Sequence, residues 1–100
     1  MGEIIRVFHA RTRDGKSDEL RKFFVNEALP LVRSCAGLVS VRVGLPLDAS
    51  PDSFLMISIW SSIEGLKEFA DDDWAEAVID PREAHLLASV SVYHYGDLDE

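Results

Sequence analysis

The chain has 100 residues, 47% hydrophobic and 28% charged, with a formal charge of −8 and one cysteine: one domain with one core and no intrachain disulfide. The acidic balance argues against nucleic acid, which needs a positive surface to displace its counterions. No apolar run reaches the ~20 residues of a membrane-spanning helix and the N-terminus lacks a signal-peptide layout, so a cytoplasmic protein with no membrane attachment is expected.

Ile4 to Ala10, rich in Ile, Val and Phe, reads as a first strand followed by a turn at Asp14-Gly15. Ser17 is the expected N-cap of a helix with Asp18 and Glu19 in its first turn, where the helix dipole favours anions. Leu20, Phe23, Phe24, Leu31, Val32 and Cys35 follow at helical spacing, interrupted at Glu27 and Ala28. Pro30 inside this pattern predicts a kink or a separate last turn, and Gly37 a stop. Cys35, among apolar neighbours, reads as a small buried hydrophobe rather than a nucleophile.

Leu38 to Leu45 is the second strand, with Val39, Val41 and Val43 alternating against Ser40 and Arg42. The loop from Pro46 to Ser53 leads into a third strand, Phe54 to Trp60, expected antiparallel to the second. Ser61 with Glu64 predicts a capping box, followed by Ile63, Leu66 and Phe69 on one helix face. Asp73 with Glu76 predicts a helical restart carrying Trp74, Ala77 and Val78, ended by Asp80-Pro81. Leu86 to Tyr95 is the last strand. Residues 96–100 form a polar tail expected to fray, leaving a folded core over 4–95.

The order strand, helix, strand, strand, helix, strand predicts an α+β fold of the ferredoxin-like β-α-β-β-α-β kind. It has a four-stranded antiparallel sheet with both helices on one face. An open meander is the alternative, and the two crossovers argue against it. Strand three is apolar on both sides: Leu55, Ile57 and Ile59 on one, Phe54, Met56 and Trp60 on the other, with Ser58 the polar break. Helices cover one face only, so a second copy of the chain is expected on the other, as a homodimer.

Three stretches carry a family likeness. They are Gly15-Lys16 before the first helix, Val32-Arg33-Ser34-Cys35-Ala36-Gly37 running into strand two, and Ser58-Ile59-Trp60-Ser61-Ser62 opening a helix that ends near Asp-Asp-Trp. Over about residues 4 to 95 the chain resembles the antibiotic-biosynthesis-monooxygenase (ABM) family. The resemblance implies a dimeric α+β barrel with a pocket between helices and sheet in each subunit. Its known chemistries are cofactor-independent oxygenation of polycyclic aromatic phenols or quinols, and haem degradation. Haem-degrading members take their iron ligand from a histidine in the second helical region. Ser62 to Ile79 holds none, Val78 falls near that position and His9 near the strand-one Asn, so neither haem degradation nor any other cofactor is expected. The aromatic-oxygenase branch pairs a strand-three Trp with an Asn four residues earlier. Trp60 matches, whereas Met56 stands at the earlier position and cannot donate a hydrogen bond.

From the residues themselves, His9 is the candidate base, since a neutral imidazole can deprotonate a phenol near pH 7; the plainer alternative is a hydrogen-bonded strand-end histidine. Trp60 is either an aromatic wall or a core residue. Phe23, Phe24, Met56, Phe69 and Trp74 are core residues that can also line a pocket for a small aromatic molecule. Arg6 and Arg42 are the candidates for pairing with an enolate oxygen, unless they are edge-strand charges. His9, His85 and His94 lack metal-ligand spacing and Asp71-Asp72-Asp73 reads as a solvated turn, so no metal is expected. By pleat parity His9 groups with Ile5 and Val7, and Trp60 with Met56 and Ser58; the pairing between strands decides whether the two share a face. The function expected is a cofactor-independent monooxygenase of an aromatic phenol or quinol. Its rival is a non-catalytic dimeric module that binds a small ligand.

Overall fold

The computed structural model describes residues 2–98. Strand β1 (Ile4–Thr12) leads to helix α1 (Ser17–Phe23), a π turn over Phe24–Ala28, and helix α2 (Leu29–Arg33). Strands β2 (Leu38–Gly44) and β3 (Ser53–Trp60) follow, then helix α3 (Ile63–Ala70), a 3-10 turn at Ala84–Leu86, and strand β4 (Leu87–Gly96). The sheet order is β2-β3-β1-β4 with all neighbours antiparallel, so the ferredoxin-like architecture is as expected. Among the described residues no helix is long and apolar enough to cross a membrane.

Pro30 has no N–H to give and its ring clashes with the carbonyl four residues back. The helical arm resolves this by widening into the π turn just before α2, which places Pro30 in that helix's first positions. Phe24 and Val32 on either side stay buried. The expected kink therefore takes the form of one π turn.

Several local expectations are corrected. Ser17 is the first helical residue and caps nothing; its hydroxyl shares a 3.0 Å hydrogen bond with Thr12 Oγ1 and donates to Asp52 Oδ1 at 3.4 Å. It ties the end of β1 to the β2–β3 loop. The cap of α3 is Ser62, whose Oγ accepts from the Gly65 amide at 3.0 Å, not Ser61 one residue earlier. Gly37 is glycine because of a close approach: a Cβ there would stand 2.6 Å from the Gly65 Cα. The backbone seam is closed by the Ser61 amide donating to Gly37 O at 2.9 Å.

The second half of the expected long helix does not form. Asp71 takes a left-handed φ of 60° at the end of α3, and the residues from there to 83 carry turns and irregular backbone but no helix. Three consecutive aspartates at a helix C-terminus oppose its dipole, and left-handed backbone ends the ladder. β2 also departs from its valine alternation. A register shift between Leu38 and Ser40 pushes Val39 outward to 51% exposure, while Leu38, Val41 and Val43 pack on the core. Of the expected frayed tail, Gly96 belongs to β4 and the Asp97 amide donates to Glu3 O at 3.0 Å. Asp99 and Glu100 lie outside the described residues.

Two core clusters fill the space between sheet and helices. One gathers Leu20, Phe24, Phe54 and Leu86, the other Val32, Met56, Trp60 and Leu66. Cys35 packs against the second, and burial pushes its thiol pKa up, consistent with an inert role. Phe54, Met56, Ser58 and Trp60 are all buried on this side of β3. The alternate residues Leu55, Ile57 and Ile59 pair across with His9, Val7 and Ile5 of β1, which pair in turn with Ser91, Tyr93 and Tyr95 of β4. None of these residues enters either core cluster, and Tyr93 and Tyr95 are each more than half exposed. The sheet is apolar on both faces, and the helices occupy one.

Candidate functional site

The helix-side face of the sheet opens into a cleft of about 150 Å³. Its floor is Arg6 and Phe8 from β1 with Met56 and Ser58 from β3. Phe23, Phe24 and Val32 from the helical arm form one wall, Phe69 of α3 another, and Val78, Arg82 and Glu83 the third. Strand parity turns the first four inward; the π turn and its Pro30 hold the arm above them.

Arg6 is 3% exposed. Its Nη2 donates to the Glu76 carbonyl at 3.0 Å, while Nε and Nη1 are buried without a hydrogen-bond partner. The guanidinium stands 5.5 Å from the centroid of the Phe69 ring, a cation–π arrangement. Desolvation lowers its pKa to about 10, so it keeps its charge at neutral pH. A buried cation with two unanswered donor positions is unfavourable until an anionic or strongly accepting oxygen meets it.

Ser58 Oγ accepts the Trp60 indole N–H at 2.9 Å, which leaves the hydroxyl hydrogen free to donate. Trp60 is fully buried and lies behind the wall, stacked on Phe69 with ring centroids 5.6 Å apart. It fixes two lining residues, Phe69 and Ser58, and does not line the cleft itself.

Glu83 is the second buried charge-bearing group in the cleft, 4% exposed. Desolvation, and then the negative charge of Asp80, push its pKa up to about 7. A backbone hydrogen bond from Asp80, and then the Arg82 charge, offset this only in part, because Arg82 is shared. Its guanidinium bonds Asp80 at 2.8 Å and Glu27 at 2.9 Å and stands 5.5 Å over the Phe23 ring. Those hydrogen bonds hold the Asp80 carboxyl down at about 2. The same clasp joins the 80–83 segment to the helical arm at the cleft wall.

His94, the cross-strand neighbour of Arg6, places its ring edge-on to Trp74 at 5.0 Å. Its Nε2 is buried without a partner, and burial, with the Arg6 charge second, lowers its pKa, so the imidazole stays neutral. Among the described residues no three His, Cys, Asp or Glu side chains gather as a metal ion would require.

Of the aromatic and sulfur residues expected at the pocket, Phe23, Phe24, Met56 and Phe69 line it. Trp74 does not; it packs on His94 in the irregular segment where a helix was expected. His9 is on the opposite face of the sheet, its Nε2 sharing a 2.7 Å hydrogen bond with Ser53 Oγ. The register decides this: Ile4 faces Trp60 across the β1–β3 pair and His9 faces Leu55, so odd residues of β1 share the face away from Trp60. One chain therefore does not bring His9 and Trp60 together. Arg6 was legible as a candidate anion partner. Glu83 was not, because nothing in Pro81-Arg82-Glu83-Ala84 marks it and its burial is a long-range fact.

Neither a family model nor a curated protein matches the sequence. Solved structures do match in shape. A protein from Shewanella oneidensis has a TM-score of 0.80 at 18% identity, covering 96% of this chain and 91% of its own. A Deinococcus radiodurans protein provisionally named as an antibiotic biosynthesis monooxygenase has 0.74 at 16%, covering 94% of this chain and 91% of its own. A variant of SnoaB, a cofactor-independent oxygenase from Streptomyces nogalater, has 0.72 at 15%, covering 98% of this chain and 95% of its own. At these identities the likeness establishes the fold: the chain is built as the ABM proteins are, in keeping with the resemblance read from its residues.

Proposed function

We propose that this protein is a cofactor-independent oxygenase of a small phenol or quinol, acting as a homodimer. The observation that carries the reading is Arg6: a buried guanidinium with two donor nitrogens unanswered, set in a cleft of aromatic and sulfur side chains. An aromatic ring fits against Phe24, Phe69 and Met56, and its oxygen meets Arg6. The guanidinium favours the ionised substrate by charge and by paired hydrogen bonds. Dry walls keep that charge uncompensated by water, and the electron-rich anion then reacts with oxygen. A cleft of about 150 Å³ admits about one or two rings rather than a long polycyclic system. That SnoaB, a cofactor-independent oxygenase, shares the fold supports this reading by analogy.

The apolar face of the sheet, from Ile5 and Val7 to Ile57, Ile59, Tyr93 and Tyr95, is the surface we assign to the second copy. His9 belongs to that interface in this reading, which leaves the base to be supplied from inside the cleft. A binding module without turnover is the rival, favoured by Met56, which lines the cleft where an amide would have oriented a substrate oxygen.

Oxygen uptake with menadiol separates the two. Wild-type protein should exceed the buffer rate, and Arg6→Met should lower kcat/KM by roughly 10²–10³-fold, the loss of one preorganised donor group. Saturable quenching by menadione with no uptake above buffer supports the binding module instead and overturns the oxygenase.

A further inference from the structure

We infer that Glu83 is the general base of this cleft and that its substrate is a neutral, weakly acidic phenol or enol, whose proton passes to Glu83 while Arg6 holds the anion left behind. The inference rests on the reading of the cleft as a phenol site and adds the group that His9, on the other face, cannot supply.

Arg6 and Glu83 line one cleft, are both almost fully buried, and are not paired with each other. Among the described residues no ion pair holds the Glu83 carboxyl, which has a backbone hydrogen bond from Asp80, and two Arg6 nitrogens have no partner. The other charged groups at the wall, Asp80, Glu27 and Arg82, are tied into their own clasp. An opposite-charge pair left open in an apolar cleft selects its occupant. A permanent anion meets repulsion from Glu83 once that carboxyl ionises, and a cation meets repulsion from Arg6. A neutral acid answers both, because it gives a proton to one and an oxygen anion to the other.

The step balances without an oxidant. The O–H bond, or the C–H bond of the keto tautomer, breaks; its electron pair stays on the substrate as phenolate or enolate against Arg6, and the proton goes to a Glu83 oxygen. Molecular oxygen enters only afterwards, as the electron acceptor. Burial supports the assignment, since it poises the carboxyl near neutral pH, where a base is most effective. His94, the other uncharged titratable group nearby, is engaged with Trp74 and does not line the cleft.

The test uses 2-tetralone, one aromatic ring beside an enolisable ketone, under anaerobic conditions in D2O, with loss of its C1 protons followed by NMR. Wild-type protein should exchange them faster than buffer, with a rate that rises through a pH of about 7 and then levels. Glu83→Gln should exchange roughly 10²-fold more slowly or worse and lose that limb, while still quenching on 2-naphthol. If Glu83→Gln does not fold, Glu83→Asp, with its carboxylate one methylene short, should exchange more slowly and keep the limb. Wild-type exchange at the buffer rate, or a carboxamide variant as fast as wild type, overturns the assignment. The two readings fail separately. Exchange without oxygen uptake on menadiol keeps the base and removes the oxygenase. Uptake by Glu83→Gln at the wild-type rate keeps the oxygenase and removes the base.

Discussion

Ionising Glu83 costs the folded chain more than the unfolded one, because only the folded state removes it from water. The unfolded carboxyl loses its proton near 4.5 and the folded one near 7, so below 4.5 the group has no effect on stability. Between those values the unfolded state has released a proton that the folded state still holds, and stability falls as pH rises. Above about 7 the loss is complete, at most about 3 kcal/mol. Glu83→Gln should therefore match wild type near pH 4 and exceed it at pH 8 by about 1–3 kcal/mol in urea denaturation. Equal wild-type and variant stabilities at both pH values would place Glu83 in water. At this scale Arg6 and the lining residues Phe23, Phe24, Met56 and Phe69 were legible, since residue type and position within a strand or helix suffice for them. The side of the sheet that His9 takes was not, because parity along one strand says nothing about its partner's.

Backbone contact between elements explains the glycines better than helix termination does. The segment entering β2 and the first turn of α3 touch at Gly37 and Gly65, where a Cβ on Gly37 would stand 2.6 Å from the Gly65 Cα and one on Gly65 would stand 3.0 Å from the Gly37 Cα. Gly37→Ala should cost about 1–3 kcal/mol by denaturant melt, as overpacking does, since backbone on both sides cannot yield as a side-chain tip would. A neutral substitution would mean that the seam opens readily. The strands were legible because alternation and turn residues declare them, and the kink because Pro30 does. The continuation of the second helix beyond Asp71 was misread, since a local capping pattern at Asp73 and Glu76 cannot register the left-handed residue before it. The irregular stretch is what carries Val78, Arg82 and Glu83 to the cleft.

For the whole molecule, the decisive feature is a row of apolar side chains crossing the uncovered face of the sheet, with Val7 between Ile57 and Tyr93. A second copy laid on that face would remove it from water, which is the driving force for association. Sedimentation equilibrium at micromolar concentration should show a dimer, and Ile57→Lys, which puts a charge in the middle of the row, should yield a folded single chain. A wild-type single chain under those conditions would mean that the face tolerates water. The cleft opens on the other side of the sheet, so Ile57→Lys should leave 2-tetralone exchange within about twofold of wild type.

By itself the sequence determined the element order, the antiparallel α+β fold and the two apolar faces of β3, because these follow from periodicity and turn chemistry that act over a few residues. Tertiary structure decided which face each strand's residues take, and so removed His9 from the cleft and placed Arg6 in it. It also decided that Glu83, 77 residues further along the chain than Arg6, is buried in the same cleft and unpaired with it. Burial and charge compensation belong to groups brought together across the fold, and no local pattern encodes them.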